Sequence, residues 1–139
     1  MSIGGDDGSL VNWASFSQVR TELGANFVRI LGYFREDGVK SLERIETAMR
    51  GGVAAAMVIP AHTLKGEAAQ FGADLLAELA ESIEMIARAC VETHESPDEA
   101  LAHVVRLRPV FDATLALLER EASPLVARKP MGFGRRASI

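Results

Sequence analysis

His62 is the residue of this sequence best placed to do chemistry. Read as a helix at 100° per residue, the stretch from Ala61 to Gly72 has two sides. Leu64, Ala68 and Phe71 cluster on one of them, with Val53 and Met57 joining from upstream, and His62 points almost directly away. Lys65 and Gly66 follow at i+3 and i+4 and share its face. Ala55, Val58, Ile59 and Ala69 complete that face, and Gln70 lies on its flank. A histidine opposite the core stripe is expected to be exposed. Neutral imidazole is a good nucleophile, and its unperturbed pKa leaves most of it neutral at pH 7. A cation one turn away can hold an anion on the ring, and the small residues beside it leave room for another macromolecule to approach. The chemistry this points to is acceptance and donation of a phosphoryl group by His62, with Lys65 neutralising the arriving charge.

A lone histidine on a helix is ordinarily just a solvated surface residue. The spacing around this one argues for more. Gly66 in mid-helix costs about 1 kcal/mol against alanine, so its place invites a reason. His-x-x-Lys-Gly with a further glycine six residues on, here His62, Lys65, Gly66 and Gly72, resembles the histidine phosphotransfer (HPt) proteins of bacterial phosphorelays. Thr63 and Leu64 are residue types this family often carries there, and Leu75 and Glu84 fall at family-typical offsets. The motif helix carries the resemblance; residues ~10–121 agree as a helical pattern of the right order, and the tail has no counterpart. Pro60, two residues before His62, is a departure from the family.

The resemblance implies an antiparallel four-helix bundle and a phosphocarrier rather than a turnover enzyme. Donor and acceptor would be aspartates of response-regulator receiver domains, free or within a hybrid histidine kinase, and Mg²⁺ would sit on the receiver. No cofactor of the chain's own is implied. No P-loop or kinase glycine-rich loop is present, so ATP is not the direct donor. Ala55, Val58, Ile59, Ala69 and Gln70 would form the docking patch, Gly66 would admit the partner, and Gly72 would serve close helix packing. The competing reading is a helical interaction module that binds a partner through the same patch without chemistry. A metal-binding bundle ranks last: His94 and His103 lack a second ligand pair at metal spacing. The Glu78, Glu81, Glu84 series reads as a solvated face, with Glu84 pairing to Arg88 at i+4.

The elements that must position the site are all helical. Asn12 is a suitable N-cap for a short helix over Trp13–Leu23, ended by Gly24. A second helix is expected over Ala25–Met49, with Phe27, Ile30, Leu31, Phe34, Leu42, Ile45 and Met49 as its stripe. Gly38 falls in phase with that stripe, which favours one continuous helix over a turn at Asp37-Gly38. The motif helix spans Val53–Phe71, with a kink expected at Pro60. A fourth covers Ala73–Val91, burying Leu75, Leu79, Ile83, Ile86 and Cys90. Ser96-Pro97-Asp98-Glu99 has the form of a capping box opening the last helix, to about Glu121, with Leu101, Val104, Leu107, Phe111, Leu115 and Leu118 inward and Pro109 expected to bend or split it. Four long amphipathic helices with short connections make an all-α, antiparallel up-and-down four-helix bundle, the short first helix capping one end.

The 139 residues suit one domain, and 48% hydrophobic content supplies a core. A single cysteine, Cys90, permits no internal disulfide, so a cytoplasmic setting is expected. No apolar run reaches membrane-span length, and the Gly- and Asp-rich start does not read as a signal peptide. Four of the 15 basic residues and none of the 19 acidic ones lie in 123–139, leaving 11 basic against 19 acidic in residues 1–122, a net of −8. Nucleic-acid binding is disfavoured by that charge. Residues 1–9 read as a disordered N-terminus, 10–122 as the bundle and 123–139 as a mobile basic tail. The small exposed patch suits a monomer.

Overall fold

A computed structural model describes residues 10–122, and every described regular element is a helix. The readings of residues 1–9 and 123–139 lie outside the described residues. Helix α1 covers Trp13–Leu23, α2 Phe27–Gly51, α3 Ala54–Gln70, α4 Asp74–Thr93 and α5 Leu101–Ala122, with 3₁₀ turns at Gly24–Asn26 and Asp98–Ala100. Helices α2 to α5 pack each on the next, and α5 closes back on α2. Two ion pairs at opposite ends of the α2–α5 seam, Arg35–Glu119 and Glu46–Arg108, fix those helices antiparallel.

Local chemistry sets the ends. Asn12 caps α1 by accepting from the Ser15 N–H through Oδ1 at 3.2 Å, and Gly24 ends the helix at φ 54°. Gly52, in left-handed conformation, closes α2. Gly72 makes the sharp α3–α4 turn at φ +74°; a Cβ there would lie 2.6 Å from the Asn12 carbonyl oxygen. The Asn12 N–H donates to the Gly72 carbonyl at 2.7 Å, which seats α1 on the end of the bundle. The start of α5 differs from the capping-box reading. The Ser96 hydroxyl donates to the Asp98 carboxylate rather than accepting from a backbone N–H, and a 3₁₀ turn precedes the α-helix.

The core runs along an aromatic chain: Trp13, Phe16, Phe27, Phe71, Phe34 and Phe111, each ring centroid 5.1–5.7 Å from the next. Edge-on and tilted contacts of this kind add to burial itself. Gly38 is buried within an uninterrupted α2 because the Phe111 ring lies directly over it. Pro60 and Pro109 both sit inside continuous helices. Three expectations shift. Val53 is the N-cap of α3 and 49% exposed, and Leu101 at the start of α5 is 51% exposed; both lie at helix starts, where no neighbouring helix covers them. The buried face of α4 is Leu76, Leu79, Ala80, Ile83, Glu84, Ala87 and Cys90, with Leu75 and Ile86 only half-buried.

Candidate functional site

Helix α3 presents His62 outward, its side chain 58% exposed, while Met57, Ala61, Leu64 and Ala68 are buried on the opposite side. Helix α4 packs along α3 and brings Glu84 beneath the imidazole. Contrary to the solvated-face reading, Glu84 is only 5% exposed. Its burial is sustained by three cationic or donor partners. Oε2 accepts from His62 Nδ1 at 3.0 Å and from Arg88 Nε at 2.9 Å, with Arg88 Nη2 at 2.8 Å; Lys65 Nζ stands 2.9 Å from Oε1. Burial alone would raise the Glu84 pKa, but the bonds from Lys65, Arg88 and His62 together outweigh it and hold the carboxyl down at about 2. Glu84 is therefore ionised near neutral pH.

That charge state decides the histidine tautomer. A carboxylate only accepts hydrogen bonds, so His62 Nδ1 must carry the proton it donates. The neutral ring then has its lone pair on Nε2. An exposed imidazole held by one nitrogen against a buried carboxylate, with the other free to attack, is the arrangement of an oriented nucleophile.

The remaining sequence-derived residues fall around this centre. Gly66 is exposed, and a Cβ built on it meets nothing within 4 Å, so no neighbour among the described residues requires a glycine there. Ala55, Ile59, Ala69 and Gln70 are exposed and Val58 half-buried. Ile59, at 66%, is the most exposed large apolar side chain among the described residues. Ala55, Val58 and Ile59 form one wall of a groove of about 440 Å³ whose other wall is Arg88, Val91 and Glu92 of α4. Sequence reading missed this second wall. A larger groove of about 800 Å³ lies between α2 and the start of α3, lined by Lys40, Arg44, Ala48, Val53 and Ala56 among others; it holds none of the His62 cluster.

One further carboxyl on α3 is perturbed. Burial, and then the nearby charge of Asp37 on α2, raise the Glu67 pKa to about 7. Glu67 Oε1 is buried without a hydrogen-bond partner. His94 is the exposed left-handed residue that caps α4, His103 is half-buried on α5, and Cys90 is buried with its thiol 3.5 Å from the Ser96 carbonyl. Among the described residues no three His, Cys, Asp or Glu side chains come together to hold a metal ion, and no helix is long and apolar enough to cross a membrane.

Comparison with known proteins agrees with the all-helical bundle. In fold, the chain is similar to the crystal structure of histidine-containing phosphotransfer protein B (HptB) from Pseudomonas aeruginosa PAO1, with a TM-score of 0.72 and 22% identity over 81% of this chain and 93% of that one. No curated protein matches. The Hpt domain pattern matches residues 29–121, more than half of the chain and all of α3 with its His62 cluster. The chain belongs to the Hpt domain family, the histidine phosphotransfer domains of phosphorelays.

Proposed function

We propose that His62 accepts a phosphoryl group from the aspartate of one receiver domain and passes it to the aspartate of another. The observation that carries this reading is the exposed ring tied through Nδ1 to the ionised Glu84, which leaves Nε2 for attack. The receiver supplies the aspartyl phosphate and its Mg²⁺; this chain supplies the nucleophile and part of the charge balance. Lys65 Nζ rests on Glu84 and has only to turn outward to meet the arriving oxygens. Positioned cations of this kind, with the receiver's metal, stabilise charge on a transferring phosphoryl group.

Docking uses the apolar surface beside His62: Ala55, Val58, Ile59 and Ala69 from α3, with Gln70 on its flank. Gly66 leaves open the space through which receiver loops reach the ring. The chain acts as a monomeric phosphocarrier in the cytoplasm, and a hybrid histidine kinase is a suitable source of the donor receiver. The test is transfer of label from purified phosphorylated receiver domains to the wild-type chain and to His62→Gln. The expected product is acid-labile and base-stable, and absent from the variant. Uptake of label by folded His62→Gln overturns the assignment.

A further inference from the structure

Arg88 is absent from the pattern that marks the site, yet it makes the most contacts to its buried carboxylate. Its guanidinium reaches Glu84 Oε2 through Nε at 2.9 Å and Nη2 at 2.8 Å. The same oxygen accepts from His62 Nδ1, and Lys65 holds the other oxygen. Phosphotransfer asks one of these partners to leave: Lys65 cannot neutralise an incoming phosphoryl group and stay 2.9 Å from Glu84 Oε1 in the same geometry. A carboxylate that is 5% exposed and has lost a counter-charge takes up a proton more readily, because burial disfavours its charged form. Once protonated, Glu84 is no longer a pure acceptor, and the ring loses the group that keeps its proton on Nδ1.

We infer that Arg88 is the positioning residue of this site: it keeps Glu84 an acceptor while Lys65 is engaged with the phosphoryl group, so that His62 reacts through Nε2. The inference rests on the phosphotransfer reading. In the forward step the Nε2 lone pair forms the N–P bond and the P–O bond of the aspartyl phosphate breaks, its electron pair leaving with the aspartate carboxylate. No proton moves. The ring keeps its Nδ1–H and gains positive charge, which develops against Glu84; the return step reverses the same two bonds. The charged and titratable groups that face Glu84 are His62 and Lys65 from α3 and Arg88 from its own helix. With Lys65 withdrawn, Arg88 is the one permanent cation left on the carboxylate among the described residues. A guanidinium suits this work because its planar fork makes two bonds at once and stays charged.

The Arg88 side chain is 57% exposed, so replacing it opens no cavity in the core. The experiment uses the full chain, Arg88→Met and Arg88→Lys, each checked for helix content. Two quantities are followed from about pH 6 to about pH 8: the tautomer of His62 by ¹⁵N NMR of its ring nitrogens, and the rate at which phosphoramidate, a small phosphoryl donor, labels it. Wild type and Arg88→Lys are expected to show the single Nδ1–H tautomer. Arg88→Met is expected to show both tautomers, with labelling about three- to tenfold below wild type and the deficit growing as the pH falls. Arg88→Met with the wild-type tautomer and wild-type rate at every pH overturns the inference. So does Arg88→Lys behaving like Arg88→Met, since a cation on Glu84 would then not be what matters. If wild-type His62 takes label from no donor, the phosphotransfer reading fails, while the tautomer spectra still decide the part played by Arg88.

Discussion

Two helical glycines should respond to the same substitution with opposite signs. Alanine in place of glycine in a helix gains about 1 kcal/mol from propensity. At Gly66 nothing lies within 4 Å of the added methyl group, so Gly66→Ala should stabilise the fold by up to about 1 kcal/mol. Gly32, in α2 with nothing within 4 Å either, is the control and should behave alike. At Gly38 the new Cβ would overlap the Phe111 ring, 2.7 Å from Cζ and closer still to Cε1. That ring is 1% exposed and lies 5.7 Å from Phe34, so it has no solvent to swing into. Overpacking of a core typically costs about 1–3 kcal/mol, and this overlap belongs at the upper end. After the propensity gain, Gly38→Ala should destabilise by about 1–2 kcal/mol. Thermal and urea unfolding read both signs, with each kcal/mol moving the midpoint roughly 3–6 °C at this size. If Gly38→Ala raises the midpoint as Gly66→Ala does, Phe111 does not cross α2 at Gly38 and the α2–α5 register is wrong. The same Gly66 site carries a functional contrast: Gly66→Leu should leave stability intact and abolish receiver binding in a pull-down or calorimetric titration.

Other consequences concern buried polar groups. Glu84 titrates near 2 in the folded chain against an ordinary 4.5, so its contribution is complete above pH about 4.5 and is lost as the pH falls toward 2. With its partners half in solvent, that contribution is about 1–2 kcal/mol, and Glu84→Gln should flatten the acid limb of a stability-against-pH curve. Glu67 acts in the opposite sense: with its folded value raised to about 7, stability falls between pH about 4.5 and about 7 as the unfolded chain ionises first. Glu67→Gln should remove that decline and leave the protein more stable than wild type above pH about 7. Thr114 is fully buried with its hydroxyl unpartnered, so Thr114→Val should match or exceed wild-type stability in urea unfolding by up to about 1 kcal/mol.

The fold was largely legible because its helices are amphipathic, capped by Asn12 and the glycines, and joined by short turns. Gly38 kept the phase of its stripe, which correctly favoured one helix over a turn. The prolines were less legible: Pro60 predicts a kink in its helix and Pro109 a bend or split in the last one, and each lies inside a single helix, so the split at Pro109 does not occur. The buried face of α4 is turned from the expected one: Leu76, Ala80 and Ala87 lie in it where Leu75 and Ile86 were expected, and the two alanines signal little hydrophobicity. Of the site, His62 and its neighbours on α3 were readable from spacing within one helix. The burial of Glu84 was not. Periodicity assigns a carboxylate to the wet side of a helix, and the cations that draw this one inward include Lys65, on a different helix. Its offset from His62 was the available signal, and Arg88 at i+4 hinted at a pair without revealing that the pair is buried at one end. The α4 wall of the groove beside Ile59 was hidden for the same reason, since it depends on how two helices lie together.

The most direct measurement is the transfer of labelled phosphoryl group from a panel of phosphorylated receiver domains to the full chain, with Nε2- and Nδ1-phosphohistidine distinguished by NMR of the product. A single acid-labile, base-stable phosphoryl group on His62 Nε2, lost in a folded His62→Gln variant, is the expected product. Phosphorylation at any other residue, or no transfer from any receiver to folded protein with His62 exposed, would contradict the phosphotransfer role and leave a bundle that binds its partner without chemistry.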